Sequence, residues 1–240
     1  MNKKLTWLLV ISLALNGVLL VYAGRHFYYR FVNNPAVEST RPADRPKLSH
    51  FMGKDDVFQA LPDDSNEVIM LGNSLTDHFE WHELFPGVNI KNRGIHADQI
   101  QSVKARIDEV IRSKPKAIFL EIGINDLIKG RDKDSVLSDY LGLVNVIRSG
   151  SGKTQLFIQS LLPTNRKSET TGADLTESVK YINEQLKDYC RKNQFVFIDL
   201  YAGMVENGFL KKEFDSGDGL HLSGKGYLYW ISQIESYVLK

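Results

Sequence analysis

The sequence predicts an α/β fold: a doubly wound sheet of about five parallel strands with helices on both faces. Two observations support this fold class. From about residue 47 onward, short apolar runs alternate with amphipathic stretches, which is the pattern of a parallel sheet covered by helices. The length of 240 residues suits one domain with attachments, and 42% hydrophobic and 25% charged residues are ordinary for a globular protein.

The individual elements follow from the same alternation. Five apolar runs between turn-forming residues are predicted as buried strands: Val68–Leu71, Val88–Ile90, Ala117–Ile122, Leu156–Gln159 and Phe195–Ile198. Four stretches with helical spacing of their apolar residues are predicted as helices: Ile100–Ile111, Ser135–Ile147, Glu177–Lys192 and Gly226–Leu239. Ligands of such sheets bind outside the carboxyl ends of the strands, so the residues that follow the strands are the candidates for a functional site.

The first 24 residues form a hydrophobic segment. Residues 5–24 are uncharged and have basic residues on both sides. As a helix, 20 residues are about 30 Å long, the thickness of the hydrocarbon core of a bilayer. We expect residues 1–24 to be a transmembrane anchor, with a signal peptide cleaved near Ala23 as the alternative. Either segment would carry the rest of the chain out of the cytoplasm, to the periplasm or cell surface when anchored and into the medium when cleaved.

Residues 25–46 are predicted to be a spacer. This segment contains three of the seven prolines among polar and charged residues, a composition typical of extended, semi-rigid linkers. The remaining residues, 47–240, are predicted to form the functional domain. Residues 31–240 carry 26 basic and 29 acidic groups, so the body of the protein lacks the basic surface that nucleic acids require, and we expect no nucleic-acid partner.

Four short blocks of functional residues follow the predicted strands. They are Gly72-Asn73-Ser74-Leu75, Asn92-Arg93-Gly94, Gly123-Ile124-Asn125-Asp126 and, near the C-terminus, Asp218-Gly219-Leu220-His221. Each block taken alone is explained by a helix cap or a turn. Together they bring a serine, an amide, a carboxylate and a histidine to strand ends that are neighbours in a doubly wound sheet, which is the residue set of a hydrolytic triad.

In these blocks the chain resembles the SGNH (GDSL-type) hydrolase superfamily. The order and spacing are similar to its platelet-activating-factor-acetylhydrolase-like and carbohydrate-esterase branches, and the turn Leu162-Pro163-Thr164 resembles the Pro-Thr turn common there. The resemblance covers about residues 67–230 and implies the superfamily's flavodoxin-like fold. One position departs from the pattern: Asn73 replaces the GDSL aspartate, which in the superfamily supports the turn and is not a member of the triad.

The resemblance also implies roles for individual residues. Ser74 would be the nucleophile, His221 the general base, and Asp218 the acid that orients the imidazole. The backbone N–H groups of Ser74 and Gly94 and the side-chain amide of Asn125 would form the oxyanion hole. This chemistry needs no metal and no cofactor.

Polar residues in or beside these blocks are candidate substrate contacts, namely His78, His96 and Asp98. We expect no metal site, because His78 and His82 do not follow the H-E-x-x-H order of a zinc-binding helix. The sequence also lacks the glycine-rich motifs that bind phosphate, so no nucleotide cofactor is expected.

The sequence therefore predicts a serine esterase that hydrolyses small acyl esters, with acetyl as the expected group, on a carbohydrate or another polar alcohol. The polar segment 163–174 near the site argues against long-chain lipid substrates. Two alternatives remain at this point. One is a lysophospholipase or thioesterase with the same triad, and the other is a non-catalytic binding module on an inherited fold.

Overall fold

A computed structural model of the protein describes residues 49–239, with side chains from residue 53. The predicted anchor and spacer, residues 1–24 and 25–46, lie outside the described residues and stay predictions. Within the described range, none of the helices is both long enough and apolar enough to cross a bilayer. The described residues fall into two compact units, one of residues 55–61 and one of residues 49–54 with 62–239. The sheet and the candidate site belong to the second unit.

The secondary structure alternates as the sequence predicts. The strands are β1 (Val68–Gly72), β2 (Ile90–Gly94), β3 (Ala117–Glu121), β4 (Gln155–Gln159), β5 (Val196–Ile198), β6 (Val205–Glu206) and β7 (Phe209–Leu210). The helices are α1 (Ser49–Ala60), α2 (Ser74–Asp77), α3 (Trp81–Leu84), α4 (Ile100–Ala105), α5 (Ile107–Ser113), α6 (Ile124–Ile128), α7 (Lys133–Gly150), α8 (Thr176–Asn193), α9 (Tyr201–Met204) and α10 (Gly224–Val238).

The central sheet confirms the predicted fold class. Its five strands are parallel and lie in the order β2-β1-β3-β4-β5, which is the flavodoxin-like arrangement. All five residues of β1 and of β3 are buried, as expected for strands covered on both faces. The chain leaves β1 toward one edge of the sheet and returns to β3 on the other side. The carboxyl ends of β1 and β3 therefore form the topological switch point, where ligands bind in folds of this kind.

The second strand differs from its prediction. It begins at Ile90, where the predicted strand ends, and it continues through Asn92-Arg93-Gly94, which the sequence pattern assigns to the following turn. Polar residues are tolerated here because β2 lies at the edge of the sheet. Arg93 is nevertheless buried, since its Nε donates a 3.2 Å hydrogen bond to Oε2 of the buried Glu109. The ion pair with Glu109 thus allows Arg93 to be buried in a strand, although hydropathy alone would exclude an arginine there.

The helix predicted at Ile100–Ile111 is two helices, α4 and α5, separated at Arg106. The guanidinium of Arg106 is 2% exposed. Its Nε donates to Oδ2 of Asp98 at 2.9 Å, and its Nη2 donates to the carbonyl oxygens of Gly72 at 3.2 Å and Arg93 at 2.8 Å. The side chain therefore reaches from the helix to the carboxyl ends of β1 and β2. The backbone at Arg106 has φ −116° and ψ 11°, outside the helical range.

The last residue of β3, Glu121, is a fully buried carboxyl group. It pairs in register with Gly72 at the end of β1, next to the switch point. Neither of its side-chain oxygens has a hydrogen-bond partner within the described residues. Burial raises the pKa of Glu121 from 4.5 to about 8, so the side chain is protonated at neutral pH.

We expect Glu121 to weaken folding as pH rises from about 4.5 to about 8. The unfolded chain releases this proton near pH 4.5, whereas the folded chain keeps it until about pH 8. The free energy of unfolding should therefore fall across this window, by up to about 1.4 kcal/mol per pH unit. Glu121→Gln keeps the shape without the titration and should remove that part of the slope in urea unfolding measured at several pH values.

The exposed Glu184 provides the control, because Glu184→Gln removes a carboxyl group that is not buried and shows how much of the change in slope is specific to Glu121. Equal slopes for wild type and Glu121→Gln would contradict a protonated Glu121 in the folded state.

Candidate active site

Ser74 opens helix α2 directly after β1, at the switch point. Oδ1 of Asn73 caps this helix by accepting a 2.9 Å hydrogen bond from the N–H of Leu75. Gly72 is required before it, because a Cβ at this position would lie 2.3 Å from the carbonyl oxygen of Glu121 and 2.3 Å from Oγ1 of Thr76. The replacement of aspartate by Asn73 thus preserves the cap.

Ser74, His221 and Asp218 form a hydrogen-bonded chain, although the serine lies 147 residues before the histidine. Oγ of Ser74 is 2.9 Å from Nε2 of His221, and Nδ1 of His221 is 2.6 Å from Oδ2 of Asp218. A carboxylate accepts hydrogen bonds only, so Nδ1 carries the ring proton of the neutral imidazole. Nε2 is then the acceptor of the Ser74 hydroxyl, which is the arrangement of a hydrolytic triad.

The carboxylate of Asp218 is held in its ionised form. Partial burial opposes ionisation, but hydrogen bonds from the backbone N–H and the ring of His221 and from the N–H of Leu220 outweigh it and lower the pKa of Asp218 to about 2. The two backbone bonds, at 2.8 and 3.0 Å, both reach Oδ1 and leave Oδ2 to the imidazole. The acid is therefore charged and oriented throughout the neutral pH range.

The loop that carries this acid and base is anchored to the turn after β4. The carbonyl oxygen of Gly219 accepts hydrogen bonds from Oγ1 of Thr164 at 2.8 Å and from the N–H of Asn165 at 2.7 Å. Oδ1 of Asp215 accepts the N–H groups of Gly217 and Gly219 at 2.7 and 3.0 Å. The Pro-Thr turn noted in the sequence therefore positions the histidine loop rather than contributing chemistry.

The amide of Asn125 stands beside the serine, in helix α6 after β3. Its Nδ2 donates one hydrogen to the backbone carbonyl of Asp98 at 3.0 Å, which fixes the orientation of the amide. An amide nitrogen has two hydrogens, so one remains for a ligand. Asn125, Ser74 and His221 all line the same open cavity of about 220 Å³.

The backbone N–H of Gly94, to which the resemblance gives an oxyanion role, has a hydrogen-bond partner within the described part of the chain. It donates a 2.9 Å hydrogen bond to Oδ1 of Asn92. Gly94 instead allows a close approach of the strand to the serine turn, because a Cβ there would lie 2.3 Å from the backbone nitrogen of Asp77 and 2.8 Å from the carbonyl oxygen of Asn73. The glycine is thus needed for packing under the site.

Ala97, which the sequence pattern did not single out, lines the cavity in place of Gly94. Its backbone is left-handed, with φ 61°, and the described part of the chain contains no hydrogen bond from its N–H. These features make the N–H of Ala97 the candidate for the backbone donor assigned to Gly94. A left-handed backbone position is usually recognised in a sequence by a glycine, so an alanine at such a position is not noticed.

The three candidate substrate contacts lie in different surroundings. The carboxylate of Asp98 is bonded to Arg106 and is 10% exposed, so it belongs to the scaffold, and the backbone carbonyl of Asp98 meets the site by accepting from Asn125. His78 and His96 are exposed and stack on each other, with ring centroids 5.4 Å apart, and both lie beside the ring of His221. Partial burial lowers the pKa of His78, and charge on the other two rings would lower it further.

Comparison with known proteins identifies the family at this point. A family model for the GDSL-like lipase/acylhydrolase family matches residues 70–228, which is more than half of the chain. The chain belongs to this family. This confirms the SGNH superfamily that the four blocks indicate, and it supports an acylhydrolase or esterase activity.

Several individual proteins of this kind are similar to the chain. The platelet-activating factor acetylhydrolase IB subunit alpha1 of Bos taurus is 25% identical over 215 residues, which covers 86% of this chain and 90% of the bovine protein. The structure of a GDSL-like lipase from Bacteroides thetaiotaomicron superposes with a TM-score of 0.70 at 19% identity, covering 80% of this chain and 98% of the lipase. A variant of an acetyl-xylooligosaccharide esterase from Geobacillus gives a TM-score of 0.56 at 15% identity, covering 74% and 95%. The structural matches show the common fold.

We expect Gly94→Ala to destabilise the protein, because the added methyl group collides with backbone atoms of the serine turn. Unlike a side chain, these backbone atoms cannot move away by a change of rotamer. The expected loss is about 1–3 kcal/mol, the usual range for overpacking. Thermal unfolding followed by circular dichroism measures it. Gly142→Ala in α7 is the control, since nothing lies within 4 Å of a Cβ there and alanine favours a helix. A Gly94→Ala protein that melts like wild type would contradict the packing role.

Proposed function

We propose that this protein is a serine esterase that removes small acyl groups, acetyl above all, from a polar alcohol such as a carbohydrate, through an acyl-enzyme intermediate. The observation that carries the proposal is the hydrogen-bonded chain from Ser74 through His221 to Asp218 at the mouth of an open cavity. Membership in the GDSL-like lipase/acylhydrolase family supports the same reaction class.

In the proposed first step, Oγ of Ser74 attacks the ester carbonyl carbon while Nε2 of His221 takes the hydroxyl proton. The tetrahedral intermediate collapses when the imidazolium returns that proton to the leaving alcohol, which gives an acyl ester on Ser74. A water molecule then repeats the sequence, giving its proton to His221 and releasing the carboxylic acid. The ionised Asp218 stabilises the imidazolium in both halves of the reaction.

Three groups are positioned to stabilise the oxyanion: the N–H of Ser74 at the start of α2, the N–H of Ala97 and the free hydrogen on Nδ2 of Asn125. All three residues line the cavity, and the hydrogen bond from Asn125 to the carbonyl of Asp98 holds the amide in place before substrate arrives. Donors that need no reorganisation act most strongly on charge that develops in the transition state. Removal of one typically lowers kcat by about 100- to 1,000-fold.

The size and lining of the cavity support a small acyl group and a polar leaving alcohol. Its volume of about 220 Å³ is below the roughly 300–1,000 Å³ of pockets that enclose larger ligands. Away from the triad its wall combines the charged residues Lys129, Glu169 and Arg166 with the apolar side chains of Ile128 and Leu220. Lys129 and Glu169 form an ion pair at 2.7 Å. The charged residues suit a polar alcohol, and the small volume leaves no room for a long alkyl chain within the cavity. Two of the similar proteins are named for the removal of acetyl groups, which agrees with this choice.

We predict that Ser74→Ala abolishes ester turnover while the protein stays folded, because the hydroxyl is the nucleophile and its loss removes a single atom. His221→Ala should be equally severe, and the double variant should be scarcely worse than either one, since residues that act as a unit are not additive. The assay is hydrolysis of a chromogenic acetyl ester, with circular dichroism as the test of folding.

The exposed Ser232 in α10 gives the matched control, and Ser232→Ala should keep wild-type turnover. A serine-reactive fluorophosphonate should label wild type and Ser232→Ala but not Ser74→Ala. Turnover by Ser74→Ala at the wild-type rate would exclude the proposed mechanism, and a folded wild-type protein without turnover of any ester would favour the non-catalytic alternative.

A series of acyl esters of one alcohol should separate the proposed substrate class from the lysophospholipase or thioesterase alternative. We expect kcat/KM to fall as the acyl chain lengthens from two carbons, because a long chain exceeds the cavity volume of about 220 Å³. The series should extend to about sixteen carbons and be measured below the critical micelle concentration of each ester. A maximum at long chains would overturn the small-acyl assignment while leaving the serine mechanism intact.

A further inference from the structure

Three imidazoles meet at the entrance of the site. His78 follows the serine helix, His96 lies in the loop after β2, and His221 lies before α10. Each ring can offer one nitrogen, and these three nitrogens lie within 4.8 Å of one another. Nε2 of His78 and Nδ1 of His96 are only 3.3 Å apart. The triad explains His221 but gives the other two rings no part in the reaction.

The spacing of these nitrogens fits a metal ion. Zinc–nitrogen bonds of about 2.0–2.1 Å in tetrahedral geometry separate two ligand nitrogens by roughly 3.3 Å. The pair formed by His78 and His96 has this separation already. The ring of His221 needs to approach by about 1.5 Å at most, from 4.8 Å to the same separation. His78 and His96 are exposed, so an ion can reach the cluster from solvent.

We propose that His78, His96 and His221 bind one Zn²⁺ ion and that this ion inhibits the enzyme by taking the imidazole of His221 away from Ser74. Three histidines with a water molecule in the fourth position form a common zinc coordination, and imidazole is a ligand that zinc favours. The inhibition rests on the proposed esterase function, whereas the binding of the ion does not.

The inhibition follows from which nitrogen of His221 is free for the metal. Nδ1 is engaged by the carboxylate of Asp218 at 2.6 Å, so Nε2 is the nitrogen that can coordinate. Nε2 is also the acceptor of the Ser74 hydroxyl, at 2.9 Å. Its single lone pair cannot serve both, so a bound ion leaves the serine without a base. The hydrogen bond to Asp218 would meanwhile strengthen the metal site, because a carboxylate on the second nitrogen orients a histidine ligand and raises its basicity.

The lone pair that binds the metal is also the one that accepts the serine proton, so the two states exclude each other and the protein works as an esterase only when the ion is absent. Zinc should therefore be a reversible inhibitor, and a chelator should restore turnover. Because the coordinating rings come from three different loops, the bound ion would also tie these loops together.

Isothermal titration calorimetry of the full-length protein with Zn²⁺ tests the site. We expect one ion per chain in wild type, and a loss of affinity of about tenfold or more in each of His78→Ala, His96→Ala and His221→Ala. Ser74→Ala should bind zinc at least as tightly as wild type, because the serine competes for Nε2 and is not a ligand. The matched control is His82→Ala, which removes an exposed histidine of the same segment that lies outside the cluster and should not change the affinity.

The inhibition is tested with the acetyl-ester assay, in which each variant is compared with its own zinc-free rate. The Zn²⁺ concentration for half inhibition should rise about tenfold or more in His78→Ala and His96→Ala but not in His82→Ala, and EDTA should restore activity. No binding to wild type, or equal affinity in wild type and the variants of the cluster, would overturn the site. Binding without inhibition would overturn the coordination through Nε2 of His221. A protein that binds zinc as expected but hydrolyses no ester when zinc-free would overturn the proposed function and leave the site standing.

Discussion

The geometry of the site depends on the hydrogen bonds made by the buried guanidinium of Arg106. One side chain ties together the carbonyl oxygens at the ends of β1 and β2 and the carboxylate of Asp98 in the following loop. A guanidinium suits this position because its planar donors are rigid and remain charged. Burial of a charge without such partners is strongly unfavourable, so these contacts together offset the cost of burying Arg106.

The contacts of Arg106 also determine where the residues of the candidate site lie. Gly72 leads into the turn that presents Ser74, so a fixed end of β1 fixes the position of Ser74. Asp98 offers its backbone carbonyl to Nδ2 of Asn125, so the same loop orients the amide at the end of β3. The histidine loop is held independently, through Thr164 and the turn after β4. The contacts of Arg106 thus position Ser74, and the contacts of Thr164 position His221. These two sets of contacts meet at the 2.9 Å hydrogen bond between Ser74 and His221.

Much of this architecture is predictable from sequence, because hydrophobic burial leaves a direct pattern in it. β1, β3 and the helices α7, α8 and α10 lie within a few residues of their predicted bounds, since their apolar residues face the core with the expected spacing. The placement of the serine, histidine, aspartate and amide at strand ends is predictable for the same reason: the fold brings those ends together. Family resemblance then assigns roles that spacing alone leaves open.

What the sequence does not reveal is decided by polar groups and by backbone conformation. The hydropathy pattern places β2 too early in the chain and predicts the first long helix as unbroken, because it cannot register the burial of Arg93 and Arg106 through ion pairs. The family resemblance assigns an oxyanion N–H to Gly94, whereas the structure shows that this glycine allows the close approach of β2 to the serine turn. The histidine cluster consists of residues up to 143 positions apart, so no local sequence motif predicts it.

Each of the three loops around the site contains a residue with a left-handed backbone, and these residues set the direction of the groups that face the cavity. Gly123 lies two residues before Asn125 with φ 122°, Gly219 lies two residues before His221 with φ 78°, and Ala97 adopts φ 61° at the cavity wall. Glycine adopts such angles without steric penalty, but alanine is disfavoured there by about 1–2 kcal/mol. The structure retains this strain because Asp98, the next residue, is locked by Arg106 and cannot relax the loop. Conformational strain held by a buried ion pair is a way to orient an N–H before substrate binds, and an oriented donor is what stabilises an oxyanion most effectively.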